Sequence, residues 1–145
     1  MTQSLCFVGL ALLPNSVFAW EFTPGLPCIL SHQSGATEVT LTYDPTQPLY
    51  SFSLKQPDPF VPAPVFGLRF TGDLALAIGT DRHQFTEGGT RLTVTDTGFG
   101  NVLNGLQFND VMIAAIGPDL ISVPLVGASD AVAAFRACEA APPVS

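Results

Sequence analysis

Glu38-Val39-Thr40-Leu41-Thr42-Tyr43-Asp44-Pro45-Thr46-Gln47-Pro48-Leu49-Tyr50-Ser51-Phe52-Ser53-Leu54 decides the fold class. Over 38–43 polar and apolar residues alternate, so Val39, Leu41 and Tyr43 share one face of an extended chain. The run 49–54 repeats the pattern with Tyr50, Phe52 and Leu54 together. Between the two, Asp44-Pro45 opens a turn and Thr46-Gln47-Pro48 supplies a hairpin-length connection. Two adjacent strands, each with one wet and one dry face, predict an antiparallel sheet that must cover its dry face with a second layer.

The same short runs recur in both directions. Candidate strands lie at 28–30, 65–70, 74–78, 91–95, 102–108, 111–116 and 120–126. Turn residues punctuate them at Thr71-Gly72-Asp73, Glu87-Gly88-Gly89 and Gly117-Pro118-Asp119. Asn104-Gly105 reads as a hairpin turn or bulge inside 102–108. Residues 56–64 contain Pro57, Pro59, Pro62 and Pro64, which excludes a central strand and predicts an extended crossing along the sheet edges. Residues 79–89 read as a loop and 96–100 as a flexible bend. A single segment, 129–138, reads as helix: Ser129 suits the N-cap, Asp130 the positive end of the dipole, and Val132, Phe135 and Cys138 fall on one side. A tail with two prolines follows at 140–145. The pattern predicts an all-β domain, an antiparallel β-sandwich or partly open barrel with one short C-terminal helix.

Upstream, 5–13 is an apolar run too short to cross a bilayer as a helix. Pro14-Asn15-Ser16 breaks it, and Val17-Phe18-Ala19 offers the small and medium residues that suit a signal peptidase. The first four residues lack the Lys or Arg that an n-region usually carries. The expected organisation is a signal peptide over 1–19 and a single all-β domain over 20–145, placed in the periplasm or secreted. Removing the leader also removes Cys6, leaving Cys28 and Cys138 to form one disulfide between the first strand and the closing helix. Neither cysteine has a partner in C-x-x-C spacing, which argues against thioredoxin-like redox chemistry. The chain carries 12 acidic against 5 basic residues, net −7, with Lys55 the only lysine. Such a surface gives no electrostatic footprint for nucleic acid or anionic lipid, and nothing after the leader is apolar enough to span a membrane.

The residues that could carry chemistry are few. His32 and His83 are the only histidines, and His83 with Asp81 and Glu87 lacks the spacing of a zinc set, so no metal is expected. There is no Gly-x-Ser-x-Gly elbow, and Gly88-Gly89 and Gly98-Phe99-Gly100 lack the ending of a phosphate loop. No cofactor is implied. Asp44, Asp58, Asp96 and Asp119 sit in turns, where carboxylates cap the backbone. Among the aromatic residues, Trp20 and Phe22 are placed to fold back over a sheet end. Phe60, amid prolines, and Phe99, between glycines, are the candidate exposed aromatics, and Arg69 and Arg82 the candidate planar donors. Phe99, held between two glycines at a bend, also has a plainer reading as a plug of the core edge. The function read from these residues is a non-catalytic binding or structural module that meets another envelope protein or surface component. The alternative is a small secreted hydrolase using His83 with a nearby carboxylate such as Asp81.

The stretch Val123-Pro124-Leu125-Val126-Gly127-Ala128-Ser129-Asp130-Ala131-Val132-Ala133-Ala134-Phe135-Arg136-Ala137-Cys138 resembles the ending of small exported proteins of alphaproteobacteria, the invasion-associated locus B-like group among them. There a strand leads through glycine into a short Ala-rich helix that closes on a cysteine. The resemblance implies an envelope location and no reaction.

Overall fold

The computed structural model describes residues 19–140, so the apolar run at 5–13 and the tail beyond 140 lie outside the described residues. Ten strands form two antiparallel sheets that do not close into a barrel, with two helices. Strands β1 (Glu21–Thr23), β2 (Cys28–Ser34), β3 (Thr37–Asp44), β4 (Leu49–Lys55), β7 (Gln84–Thr86) and β8 (Arg91–Asp96) make the larger sheet in the order β1-β2-β3-β4-β8-β7. Strands β5 (Phe66–Gly72), β6 (Leu76–Thr80), β9 (Asn109–Ile116) and β10 (Asp119–Pro124) make the smaller, in the order β10-β9-β5-β6. Helix α1 (Gly100–Gln107) sits between β8 and β9, and α2 (Ala128–Ala140) closes the described chain.

Alternation builds the core as expected. The β3–β4 hairpin pairs Leu41 with Phe52 and Tyr43 with Tyr50, and Val39, Leu41, Phe52 and Leu54 are all buried. From the opposite sheet Phe66, Leu68, Phe70, Met112, Ala114 and Ile116 face them, and the Phe52 and Phe66 rings stand 6.1 Å apart across the sandwich-like interior. The proline-rich crossing carries no strand over residues 56–65, where missing N–H groups would leave a ladder incomplete.

Three elements differ from the expectation. Trp20 and Phe22 flank and join an edge strand, β1, paired with β2 from Glu21↔Ser31 to Thr23↔Ile29. The 79–89 loop contains the three-residue strand β7, paired to β8. The largest correction is 102–108, read as an interrupted strand but folded as α1. Leu103 and Leu106 are one helical turn apart and both buried. Gly105 lies inside the helix because the Phe70 ring presses on its backbone, and a Cβ there would overlap the ring. Close approach, not a turn, is what this glycine serves. The described residues therefore hold two helices where one was expected.

Helix α2 packs against β1, β2 and α1. It buries Ala128, Val132 and Phe135, and Cys138 bonds to Cys28 with Cα atoms 6.6 Å apart, within disulfide reach. The helix starts one residue ahead of the expected cap, at Ala128, after Gly127 turns the chain at φ 80°. Arg136 reaches Asn104 of α1 at 2.6 Å, linking the two helices. Trp20 is buried at the seam between the sheets: its ring stacks on His32 with centroids 4.6 Å apart, and its Nε1 donates to the Pro124 carbonyl of β10. Among the described residues no helix is long and apolar enough to cross a membrane.

Candidate functional site

The larger sheet has two more strands than the smaller, and on the β6–β8 side the two layers part. A cleft of about 480 Å³ opens there, in part exposed to solvent. Its size falls within the roughly 300–1,000 Å³ of small-molecule sites. Four segments line it. Phe52 of β4 with Val94 and Asp96 of β8 form one wall; Phe66 and Leu68 of β5 with Ile78, Gly79 and Thr80 of β6 form the other. Arg82 follows β6, and the bend into α1 adds Gly98, Phe99, Gly100, Asn101 and Val102.

The cleft is apolar at depth and polar at its rim. Phe52, Phe66 and Leu68 are core residues exposed by only 1%, 2% and 6%. The charged groups lie outward: the Arg82 side chain is 66% exposed and that of Asp96 36%, and Arg82 Nη2 donates to Asp96 Oδ2 at 2.9 Å. This ion pair joins the two layers across the mouth. The Asp96 carboxyl is held below its ordinary pKa, first by the Thr97 N–H bonded at 2.7 Å and then by Arg82, against slight desolvation. Its two oxygens are thus both occupied, while the remaining N–H groups of Arg82 have no side-chain partner among the described residues.

Two glycines at the rim are informative because the backbone does not demand them. Gly98 and Gly100 have no positive φ, and an added Cβ at either would meet nothing within 4 Å. Side chains would fit there without strain, so what their absence leaves is space beside Phe99.

The sequence-predicted residues divide between the cleft and elsewhere. Phe99 and Arg82 both line it. Phe99 is buried rather than exposed: it stacks on Tyr50 at 5.2 Å because the turn into α1 folds it inward. Phe60 is likewise buried, a correction to its reading as an exposed aromatic. Its N–H donates to Gly89 at 2.8 Å and its ring packs on Phe85, so the proline-rich crossing is pinned over the sheet edge as a plug. Arg69 points away from the core on the outer face of β5 and meets none of the others. Sequence reading missed Phe52, Phe66, Leu68, Ile78 and Val94, since each is an ordinary inward strand residue whose exposure depends on where the sheets part. The Gly-Phe-Gly bend was the one available signal.

His83 and Asp81 do not assemble a catalytic pair. His83 Nε2 donates to the Ala63 carbonyl at 2.8 Å, its ring stands between Phe66 and Phe85, and Nδ1 is buried without a partner. Asp81 is exposed and does not bond it. Among the described residues no group of three or more His, Cys, Asp or Glu could hold a metal ion. The other polar cluster, Lys55, Glu87, Arg91 and Glu38 with Ser53, lies on the outer face of the larger sheet as a web of surface ion pairs. Compared with known proteins, the chain matches no protein-family model, no curated protein and no solved structure.

Proposed function

We propose that the chain is an exported envelope protein whose folded domain binds a small, largely apolar molecule in the cleft between its sheets, without catalysing a reaction. The observation that carries this reading is the cleft itself. Apolar space of this size inside a close-packed protein forfeits dispersion contacts, and water finds few polar partners at its floor. A ligand would restore those contacts. The disulfide supports an oxidising compartment, and the apolar leader and the resemblance of residues 123–138 to exported alphaproteobacterial proteins support the envelope. With Phe60 and Phe99 buried, a small molecule fits the site better than a flat protein partner.

The test is titration with the neutral, apolar fluorophore N-phenylnaphthylamine. The protein is expected to bind it saturably, and Ile78→Trp, which fills the cleft from β6, to abolish binding while retaining the thermal midpoint within a few degrees. Unchanged binding by a folded Ile78→Trp variant would overturn the reading.

A further inference from the structure

We propose that the occupant is a single-chain amphiphile with an anionic head, a fatty acid, with its tail on Phe52, Phe66 and Leu68 and its carboxylate on Arg82. This rests on the cleft being a ligand site and specifies the chemistry of the ligand. The polarity of the walls supplies the first half of the argument. The floor is made of three core side chains, and the polar side chains of the lining, Thr80, Arg82, Asp96 and Asn101, are all more exposed than that floor. A molecule that matches such a gradient is apolar along its length and polar at one end. The cleft is partly enclosed and partly open to solvent, which leaves room for a buried tail and a wet head.

The sign of the head follows from hydrogen-bond bookkeeping at the mouth. Asp96 is the one acid in the lining, and its oxygens already accept from the Thr97 N–H and from Arg82. Arg82 is the one cation there, and only Nη2 is committed. A guanidinium can serve two carboxylates along different edges, and a planar carboxylate can take two parallel N–H groups at once. Asp96 thus orients Arg82 over the cleft while leaving donors for the ligand. A cationic head would find the local acid satisfied and would face the guanidinium.

The experiment compares three probes of equal chain length, dodecanoate, dodecanol and dodecyltrimethylammonium, each below its micelle-forming concentration, by calorimetry on the whole protein. Dodecanoate is expected to bind about fivefold tighter than dodecanol, the roughly 1 kcal/mol of an ion pair at a partly exposed site, and the ammonium weakest. Arg82→Gln should erase the advantage of dodecanoate, with a cooperative thermal transition showing that the variant is folded. Arg82→Glu should reverse the order of the two charged probes. Equal binding of dodecanoate and dodecanol, or a preference that survives Arg82→Gln, overturns the fatty-acid inference while leaving the cleft as a ligand site. Failure of all three probes together with N-phenylnaphthylamine overturns the cleft reading as well.

Discussion

Asn109 is buried at the start of β9, and its amide spans two elements. Oδ1 accepts from the Leu74 N–H at 3.0 Å, and Nδ2 donates to the carbonyls of Leu74 at 2.8 Å and Gly105 at 3.0 Å. The side chain ties the β5–β6 turn to α1. Asn109→Ala would leave these backbone groups short of partners in a site with little water, and a loss of about 2–3 kcal/mol is expected; urea denaturation measures it directly. His32 acts at the same scale through protonation. Burial lowers its pKa below the ordinary 6.5, opposed by the Ala19 carbonyl that accepts from Nδ1. The unfolded chain therefore binds a proton more readily than the folded one. That part of the stability is complete above about pH 6.5 and falls as the pH drops from there toward the folded pKa. Thermal midpoints measured from neutral to mildly acidic pH should decline, and His32→Phe, which keeps a ring against Trp20, should flatten the decline.

At the scale of elements, the longer strands were legible because a period of two survives in them: β3, β4 and β9 all lie within two residues of their expected bounds. Helix α1 was not, and the reason is tertiary. Asn104-Gly105 is turn chemistry in isolation, and only the Phe70 ring, more than thirty residues away in sequence, turns Gly105 into a packing requirement. Strand β7 escaped notice because three residues give no period to read. The closing helix was legible through its cap-like start, its apolar spacing and its cysteine. Its attachment carries the prediction proper to this scale. The disulfide joins residues 110 apart, so reduction is expected to cost about 3–5 kcal/mol. The variant Cys28→Ser with Cys138→Ser should unfold at correspondingly lower urea, with α2 losing its hydrogen-exchange protection before the β3–β4 hairpin does.

At the scale of the molecule, the cleft arises from relations that no single segment encodes. Six strands pair in one sheet and four in the other, β6 and β8 come from different sheets, and the bend into α1 closes the lining between them. Alternation tells which side chains face inward; it does not tell where two inward faces stop touching. Arg82 was picked out as a candidate planar donor and Phe99 as a candidate exposed aromatic, and the fold brings both to one mouth. Phe60 and Arg69 met the same criteria and went elsewhere, one under the proline crossing and the other to the outer face.

The position of α2 also sets a schedule. The last helix of the described chain packs on β1 and β2, the first two strands, and Phe135 supplies a fully buried side chain to a core begun more than a hundred residues earlier. A chain that leaves the ribosome or passes through a membrane pore N-terminus first cannot finish that core until its final turn of helix has arrived. Long-range pairing of this kind folds slowly. The thiol of Cys28 likewise waits for a mate 110 residues further along the chain. Closing the core, rather than starting it, thus waits on the arrival of α2, in whatever compartment the chain folds.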